Sequence, residues 1–591
     1  MALDEALPQR LVHGGWTIDF EPQTGWLRDV RWRGTEVIRS VYAVVRTADW
    51  GTDTVASESW SYSSDGPTHE VVWRGKAQSS GLVWDLRIRF SADGALTYEA
   101  DGVVTADITT NRTGMCVLHP PRQAGSPVTV FHPDATSTAA QFPTVIDPEA
   151  PFAPFSGLLI NDPTVGDIRL SFSGEVFETE DQRNWTDASF KTYCRPQSEP
   201  KPYVLRAGDR VCHGLQVFIH QVDAPHAPSP EMVDLDALPM AAFARSAASP
   251  AVGKNPDQIV ALGEGTRPAL GLGINLNVPF EPDDAASLKE VRPEFLWFDL
   301  GPSSGWTAAT EQMISFAAPI DATLEARIWL PQLREDSDNL PNLFPRLAGG
   351  RLVVDFEDWT PADTERIALV AKAAWNSGVA LVLASRQNFT ELNRVRPPLE
   401  GIDGVGFAVC PQIHAIDDRS ILENADGLEE PVRDARVLAD GRPLHVGPLS
   451  LAHRGALEDP RAREWLGAAY LIRSLVALTR AGAASASWFY LNGPGGVRGE
   501  ERWMPCLETL AALRRSAVWR IGTDPATRLS VLDAGRFGTW LVNPLPRSTA
   551  VWTERAFVST AGWRTGRAFE SHPGEPMVIP PMEVVLIRWR D

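Results

Sequence analysis

Three things are scarce in this sequence of 591 residues: cysteine, long apolar runs and an excess of positive charge. The five cysteines lie far apart and form no Cys-x-x-Cys pair, so we expect neither a disulfide framework nor a zinc knuckle. No apolar run approaches the roughly 18 residues that a membrane-spanning helix needs. The acidic N-terminus lacks the apolar core of a secretory signal. These absences predict a cytoplasmic protein.

Negative charge exceeds positive charge, because 75 Asp and Glu against 55 Lys and Arg give a formal net charge of −20. A uniformly acidic surface repels phosphate backbones and anionic membranes, so neither nucleic acid nor a membrane is an expected partner. Hydrophobic residues make up 43% and charged residues 22%, which is typical of globular proteins. The length predicts about three or four domains, and nothing in the composition indicates the oligomeric state.

The first part of the chain, residues 1–222, has short alternating stretches separated by clusters of Gly, Asp, Pro or Ser. The predicted strands are Gly15–Phe20, Leu27–Trp32, Val41–Arg46, His69–Trp73, Leu82–Phe90, Leu96–Val103 and Arg210–His220. Repeated short strands without a helical period predict a β-sandwich. Residues 223–256 are rich in Pro, Ala and Ser and predict a linker.

Over residues 257–520 strands and helices alternate. Eight short apolar runs predict strands at Ala269–Leu276, Phe295–Leu300, Thr323–Leu330, Arg351–Phe356, Val379–Ala384, Val405–Cys410, Leu444–Leu449 and Ala484–Tyr490. Helical periods are clearest at Thr307–Ala317, Pro361–Trp375 and Pro460–Ala481. This alternation predicts a (β/α)8 barrel of the TIM type. Residues 521–591 return to short strands and predict a small C-terminal β-domain, so the expected fold class is multidomain, α/β plus all-β.

Polar side chains are dense at the predicted carboxyl ends of the barrel strands, where a (β/α)8 barrel builds its active site. Asp299 ends strand 2, Asp355 and Glu357 end strand 4, and Tyr490 ends strand 8. A rim of this kind suits a polyol or a sugar acid. We therefore expect Asp355, Glu357 and Tyr490 to bind substrate.

The cluster Glu391-Leu-Asn-Arg394 follows strand 5 and is the most reactive of the rim segments. Glu391 could act as a general base or acid, while Asn393 and Arg394 hold hydroxyls or an oxyanion. The alternative, weighted equally, is a carboxylate at a helix N-terminus beside a surface arginine.

His414 and Asp417 follow strand 6 and form a second candidate pair. An aspartate three residues from a histidine could orient its ring as a base. The alternative is a loop histidine followed by an aspartate that caps a helix.

Several motifs of known chemistry are missing. The Gly493-Pro-Gly-Gly turn lacks the Lys-Ser/Thr of a phosphate loop, and no Gly-x-Ser-x-Gly elbow occurs. The histidines show neither His-x-His nor His-Glu-x-x-His spacing, which argues against a dedicated zinc site. We therefore expect no cofactor and no bound metal, with a cation held by carboxylates alone as the alternative.

A polar loop, Glu180–Lys191, interrupts the N-terminal β region with the sequence EDQRNWTDASFK. A long polar loop loses conformational entropy on folding unless contacts order it. It either reaches over the barrel mouth as a functional loop or makes an ordinary interdomain contact.

The segment Asp181–Tyr193 resembles the signature of the D-apionate lactonase family. Further segments that agree with it, in the same order, are Asp49–Thr52, Asn111–Gly114, Glu391–Arg394, Pro411–Ala415 and Val446–Ser450. The resemblance implies a bacterial, cytoplasmic hydrolase of apiose catabolism that opens D-apionolactone to D-apionate with one water. It also implies a β-sandwich, a (β/α)8 barrel and a C-terminal β-domain. One departure is Tyr490-Leu-Asn492, where the family pattern leads us to expect a glutamate, so the activity or the substrate could differ.

Lactone hydrolysis needs a base for water, donors for the oxyanion and an acid for the departing alkoxide. The predicted catalytic side chains are Glu391, His414, Asp417 and Arg394, with Arg183 as an alternative oxyanion donor. The predicted substrate-binding residues are Arg183, Asn184, Asp187, Lys191, Asn393, Glu357, Asp355 and Tyr490. The expected ligand is a small sugar lactone.

Two other functions remain open. A barrel glycosidase needs two carboxyl groups, and the common design places them at the ends of strands 4 and 7. Glu357 supplies the first, but strand 7 ends in Val-Gly-Pro-Leu-Ser450 without an acid. A carbohydrate-binding protein without activity would not need the acids and arginine at the barrel rim. We therefore rank a lactonase first, a glycosidase second and a binding protein third.

Overall fold

The chain divides into two units, residues 1–183 with 188–229, and residues 184–187 with 230–591. The computed structural model describes residues 8–221, 232–234, 263–452, 459–499, 504–516, 519–524, 528–552, 560–569 and 577–588. Four residues, Asn184–Asp187, belong to the second unit although the chain on both sides of them belongs to the first.

The first unit is built from two sheets of antiparallel strands. The strands of the ten-stranded sheet are Gln9–His13, Trp16–Glu21, Trp26–Trp32, Thr35–Thr47, Thr52–Asp53, Ile108–His119, Phe152–Phe155, Phe177–Asp181, Phe190–Tyr193 and Tyr203–Leu205. The strands of the nine-stranded sheet are Val55–Ser63, Thr68–Ala77, Val83–Ser91, Ala95–Val103, Pro127–Phe131, Ser137–Gln141, Gly157–Asp162, Gly166–Ser173 and Arg210–Gln221.

One hydrophobic core joins the two sheets. It takes Trp16 and Val41 from the first sheet and Trp73, Trp84 and Tyr98 from the second. Because side chains of a strand point alternately to its two faces, the alternating burial of Val83–Ser91 places one face in this core. The predicted β-sandwich is confirmed.

Eight parallel strands close the barrel of the second unit. They are β1 (Ala269–Gly273), β2 (Phe295–Asp299), β3 (Thr323–Trp329), β4 (Arg351–Phe356), β5 (Ala380–Ser385), β6 (Gly404–Val409), β7 (Leu444–Leu449) and β8 (Ser485–Tyr490). Parallel strands are buried on both faces, which is why each reads as a nearly continuous apolar run. The predicted barrel is confirmed.

Helices lie between the barrel strands. Those described are α1 (Pro282–Val291), α2 (Trp306–Ala317), α3 (Leu330–Asp336), α4 (Leu340–Leu343), α5 (Pro361–Asn376), α6 (Phe389–Val395), α7 (Asp418–Asp426), α8 (Glu429–Leu438), α9 (Trp465–Ala481) and α10 (Pro505–Arg514). Helix α5 begins with a capping box of Thr360 and Asp363 and with Pro361 at its first position. The capping box satisfies backbone N–H groups that have no partner inside the helix. Proline at the first position has no N–H that would need one.

The packing of β1 against β2 depends on two glycines. A Cβ atom on Gly271 would lie 2.1 Å from the ring of Phe295, and one on Gly273 would lie 2.5 Å from the ring of Trp297. Distances this short are not tolerated, so the missing side chains leave room for two large rings from β2 inside the barrel.

A buried ion-pair network fills part of the barrel interior. Glu325 accepts hydrogen bonds from Arg327 at 2.7 Å and from Arg351 at 2.6 Å, and Arg327 also donates to Asp355 at 2.6 Å. Burial alone would raise the pKa of Glu325, but Arg351 and Arg327 outweigh it and lower the pKa to about 2. Glu325 therefore stays ionised at neutral pH.

Small β-sheets follow the barrel, as predicted. A five-stranded sheet contains Gly263–Gly265, Trp519–Thr523, Ser530–Asp533, Thr539–Asn543 and Glu583–Ile587, and smaller sheets contain Met232–Asp234, Thr549–Trp552, Met577–Ile579, Thr560–Ala561 and Ala568–Phe569. Two of these strands precede the barrel in sequence. Of the predicted linker 223–256, only residues 232–234 are described, and the rest lies outside the described residues.

No helix of the described residues is both long enough and apolar enough to cross a bilayer.

Candidate active site at the barrel mouth

A cavity of about 450 Å³ opens at the carboxyl ends of the barrel strands. Its polar and charged wall residues are Asn275, Asp299, Arg327, Gln332, Arg386, Ser450, Asp459 and Tyr490. Its apolar wall includes Trp297, Trp329, Leu451 and Phe489. This is the end of a (β/α)8 barrel at which substrates bind, and the volume suits a small molecule.

Asp299 and Tyr490 meet in this cavity. Asp299 ends β2 and Tyr490 ends β8, and the phenolic hydroxyl donates a hydrogen bond to Oδ2 of Asp299. The Tyr490 ring packs on Trp297 with centroids 4.6 Å apart. The ring is therefore held in one place while the carboxylate remains at the cavity wall, a geometry suited to a general base.

Arg386 brings a positive charge to the same cavity. It follows β5, and its guanidinium stacks on the Trp329 ring at 4.7 Å. The Nε atom lies 3.5 Å from Oε1 of Glu357, a side chain that is 39% exposed. Glu357, predicted to bind substrate, thus flanks Arg386 rather than lining the cavity. A guanidinium fixed on an aromatic face can donate to a carbonyl oxygen or an oxyanion.

Asp355 was also predicted to bind substrate, and the structure gives it another contact. It is fully buried and accepts hydrogen bonds from Arg327 at 2.6 and 3.3 Å. Arg327 lines the cavity, while Asp355 does not. Asp355 therefore acts on the cavity through the arginine that it holds.

Asp459 is a second carboxylate at the cavity wall. It accepts from Gln412 at 2.7 Å and from Arg461 at 2.7 and 3.0 Å. Burial raises its pKa, but the hydrogen bonds from Arg461 and Gln412 outweigh burial and lower it. An aspartate held ionised in this way is a poor proton donor at neutral pH.

Cys410, at the end of β6, is not a nucleophile. Burial raises the pKa of its thiol to about 12, and its Sγ donates to the carbonyl of Leu451 at 3.3 Å. Only a thiolate attacks readily, so this side chain is structural.

Asn184 and Asn393, each predicted to bind substrate, lie together in the second unit. Asn393 on α6 donates its amide to Oδ1 of Asn184 at 3.0 Å, and Thr390 donates its hydroxyl to the Asn184 carbonyl at 2.8 Å. All three residues are buried. Their amide and hydroxyl groups therefore bind one another and fix the segment Asn184–Asp187.

His414 pairs with Asp187 rather than with a neighbour in sequence. Its Nδ1 donates to Oδ2 of Asp187 at 2.5 Å, and Asn424 donates to Oδ1 at 2.7 Å. Trp185 packs edge-on against the imidazole at 5.5 Å. With Nδ1 donating, the neutral ring has its lone pair on Nε2, the nitrogen that can accept a proton.

Asp417 caps a helix, which is the alternative that the sequence left open. Its side chain accepts from the backbone N–H of Ser420 at 2.9 Å and so begins α7. The aspartate that orients His414 comes from a part of the chain more than two hundred residues earlier. Spacing along the sequence contained no sign of that pairing.

Glu391 closes the capping box of α6. Its Oε2 accepts from Ser385 Oγ at 2.6 Å and from the backbone N–H of Asn388 at 3.2 Å. Glu391 was predicted to be catalytic, but these contacts match the alternative of a carboxylate at a helix N-terminus. Arg394 on the same helix is exposed and places its guanidinium 5.3 Å from the Trp185 ring.

Arg183 and Lys191 belong to the first unit. Arg183 has no exposed side-chain surface and donates to Asp181 at 2.6 and 2.8 Å and to the Pro143 carbonyl at 2.8 Å. Lys191 lies 3.5 Å from Glu180. Arg183 is therefore already paired within the interior of its own unit, which argues against a role as oxyanion donor.

One group of possible metal ligands occurs among the described residues. Glu175, Cys194 and His213, in the first unit, bring their ligand atoms within 4.8 Å of one another. Nδ1 of His213 accepts from the backbone N–H of Met115 at 3.2 Å, so the neutral ring carries its proton on Nε2, which lies 3.6 Å from Glu175. A protonated nitrogen cannot bind a metal, and the contacts fit a hydrogen-bonded cluster.

The sequence places Asp299 and Arg386 at the barrel rim, but neither was predicted to be a site residue, and nothing in the sequence pointed to Arg327 or Asp459. The available signal was position, since Asp299 and Arg386 directly end or follow a barrel strand. Residues chosen for local motifs, such as Glu391 and Asp417, turned out to be caps.

Solved structures show only distant similarity. A β-arabinopyranosidase matches with a TM-score of 0.35 and 10% identity, covering 98% of this chain and 99% of that one. A 4-O-α-L-rhamnosyl-β-D-glucuronidase from Fusarium oxysporum matches with a TM-score of 0.37 and 8% identity, covering 55% and 97%. TM-scores this low support no inference about this chain.

Family comparisons are more informative. The family model for the N-terminal domain of D-apionate lactonase matches residues 2–222, and the model for its TIM barrel domain matches residues 271–518. A D-apionate lactonase from Brucella anthropi is 26% identical over 597 residues, covering 91% of this chain and 93% of that protein. With both domain models matched in order and a relative aligned across nearly its whole length, this chain belongs to the D-apionate lactonase family.

Proposed function

We propose that this chain hydrolyses the lactone of a small sugar acid, with D-apionolactone as substrate and D-apionate as product. The observation that carries the proposal is the cavity at the barrel mouth, which Asp299, Tyr490 and Arg386 line together. Its volume of about 450 Å³ falls within the range of small-molecule sites. The name of the Brucella anthropi relative supports the choice of lactone.

In the proposed reaction Asp299 takes a proton from a water molecule, and the water oxygen attacks the lactone carbonyl. Arg386 donates to the oxyanion that forms. When the ring C–O bond breaks, Asp299 returns the proton to the departing alkoxide. The new carboxylic acid then ionises and releases one proton to solvent. Tyr490 holds Asp299 in place between these steps.

His414 is the alternative base. Asp187 fixes its Nδ1, so Nε2 could take a proton from water. His414 lies two residues beyond Gln412, whose amide donates to the cavity residue Asp459. We place the base at Asp299 because Asp299 itself lines the cavity, and we keep His414 as the second candidate.

A glycosidase is less well supported. Its two carboxylates would stand at the ends of β4 and β7 in the common barrel design. Glu357 after β4 contacts Arg386 and does not line the cavity, and β7 ends in Leu449 followed by Ser450. We further propose that the enzyme works in apiose catabolism in the bacterial cytoplasm.

The test is a pH-indicator assay with the purified full chain and D-apionolactone. Other aldonolactones and aryl glycosides run beside it, each with and without EDTA. We expect acid release from D-apionolactone that EDTA does not change. Cleavage of an aryl glycoside without lactone turnover would contradict the proposal and favour the glycosidase.

A further inference from the structure

Four neighbouring strands of the ten-stranded sheet place an unusual set of charges on one face. Cross-strand pairing sets Arg112 opposite Arg46, Leu118 opposite Lys191, and Glu180 opposite Lys191. Residues directly opposite each other share a face, and so do residues two apart on one strand. This face is the reverse of the one that carries Val41, Met115 and Val117 into the sandwich core.

Arg112 is the least satisfied of these groups. It is only 3% exposed, and neither its Nε nor its Nη2 has a hydrogen-bond partner among the described residues. Its guanidinium lies 3.4 Å from the centre of the Tyr193 ring and 5.5 Å from that of Trp50. The aromatic faces attract the cation, but they leave its donors unused.

Three segments that resemble the family signature meet at Arg112. Trp50 belongs to Asp49–Thr52, Arg112 to Asn111–Gly114, and Tyr193 to Asp181–Tyr193. Asn111 also donates to the Ala48 carbonyl at 2.9 Å, which ties the first two segments together. The proposed chemistry at the barrel mouth uses none of these residues, so the cluster requires an explanation of its own.

The charges on this face do not cancel. Three cations, Arg46, Arg112 and Lys191, stand with two carboxylates, Glu178 and Glu180, on the four strands. Glu180 lies 3.5 Å from Lys191, and Glu178 accepts from Tyr193 and from the Gln197 backbone. No carboxylate among the described residues pairs with Arg46 or Arg112. Both arginines are buried.

A buried charge without a counter-ion is unfavourable, and a bound ligand of opposite charge would stabilise it. A guanidinium with two unused donors suits the two oxygens of a carboxylate. Burial lowers the pKa of Lys191, with Arg46 and Arg112 acting in the same direction, so a bound anion would relieve this repulsion too.

We propose that Arg112, with Arg46 and Lys191, binds the carboxylate of a small polyhydroxy acid. The choice of acid rests on the proposed function, because the product of lactone hydrolysis is such a monocarboxylate. Trp50, which is 46% exposed, stands beside Arg112 and offers an apolar face to the carbon chain of the acid.

Calorimetric titration of the full chain with D-apionate tests the site. We expect Arg112→Gln to weaken binding about tenfold or more, as loss of a charge-assisted pair does. Arg210→Gln is the matched control, because Arg210 is an exposed arginine of the same unit that is paired with Asp101. Neutral D-apiose should not bind at this site. Unchanged D-apionate binding by Arg112→Gln, or tighter binding of inorganic phosphate than of D-apionate, would overturn the proposal.

Thermal unfolding separates a binding role from a structural one. Without ligand, Arg112→Gln should unfold at the same temperature as the wild type or higher, because it removes an unpaired buried charge. D-apionate should raise the midpoint of the wild type more than that of the variant, in which only the barrel-mouth site still binds it at full strength. A large fall in the unliganded midpoint would mark Arg112 as structural and contradict the site. Arg46→Gln is the second variant, and unchanged D-apionate binding there would remove Arg46 from the site.

The two proposals fail separately. If the chain turns over no lactone but binds D-apionate through Arg112, the proposed function is wrong and the anion site stands. If lactone turnover depends on Asp299 while Arg112→Gln binds D-apionate normally, the proposed function stands and the anion site is wrong.

Discussion

Tyr490 donates its phenolic hydrogen to Asp299 across the mouth of the barrel. The two residues end β8 and β2, the strands that flank β1 in the closed barrel. A hydrogen bond between side chains from two strands fixes the carboxylate without protonating it.

Asp299→Asn should lower lactone turnover by about 100- to 10,000-fold, the usual contribution of a general acid or base. The amide keeps the shape of the side chain but cannot accept a proton. Tyr490→Phe should have a smaller effect, because it removes only the group that holds the carboxylate. Both are measured by acid release from D-apionolactone.

Asp85→Asn is the control for this experiment, since Asp85 is half exposed and pairs with Arg74 in the first unit. Its turnover should match the wild type. Full turnover by Asp299→Asn would remove Asp299 from the proposed mechanism.

Arg386→Gln should lower kcat by about 100- to 1,000-fold, as the loss of an oxyanion donor does. The guanidinium lies at the cavity wall on Trp329, so its loss should leave folding nearly intact. Circular dichroism checks the fold, and the split between kcat and KM checks the role. A change in KM alone would indicate ground-state binding rather than oxyanion stabilisation.

Glu391→Ala tests whether this side chain is catalytic or a helix cap. The capping box predicts a loss of about 0.5–2 kcal/mol in the free energy of unfolding, with turnover within a few fold of wild type. Urea denaturation gives the first quantity and the indicator assay the second. Glu365→Ala, an exposed position on α5, is the matched control. A stable variant without turnover would restore Glu391 as a catalytic group.

Asp187→Asn should destabilise the second unit, because the carboxylate accepts from both His414 and Asn424. A loss of about 1–3 kcal/mol is expected for a buried hydrogen-bonded charge.

His414→Gln tests which residue is the base. If Asp299 is the base, the variant should keep turnover within about tenfold of the wild type, because the loss of a true general base typically lowers turnover by about 100-fold or more. A fall of 100-fold or more in His414→Gln, with Asp299→Asn active, would move the base to His414.

Stability should fall as the pH drops below about 6.5, the ordinary pKa of histidine. Burial lowers the pKa of His119 to about 3, and burial together with Arg351 lowers the pKa of His445 to about 3. Between about pH 6.5 and pH 3 these two histidines bind protons in the unfolded chain but not in the folded chain. The free energy of unfolding therefore decreases as the pH falls. At about pH 5 the loss is about 2 kcal/mol for each histidine.

Urea midpoints at about pH 7 and pH 5 measure this loss. His445→Gln should reduce the difference between the two midpoints. A difference that is the same in His445→Gln and in the wild type would contradict the assignment.

Much of the fold follows from local sequence. The apolar runs at Phe295–Leu300 and Arg351–Phe356 found their strands to within one residue, because a strand of a parallel barrel is buried on both faces and must be apolar throughout. The starts of α2 and α5 were predicted to within one residue, whereas α9 begins at Trp465 rather than at the predicted Pro460, because a separate 3-10 turn takes up Pro460–Arg463. Asp417 and Glu391 both match the capping alternatives that the sequence offered.

The site was decided by tertiary structure. Asp187 meets His414, and Tyr490 meets Asp299, across 227 and 191 positions of sequence. Contacts at such separation depend on which strands neighbour each other in the barrel and on where a distant loop is held, and neither leaves a local pattern. The sequence by itself determined the strands, the helix caps and the family resemblance. Only the folded chain decided which carboxylates stand in a cavity and which, like Asp355, are already held by a buried arginine.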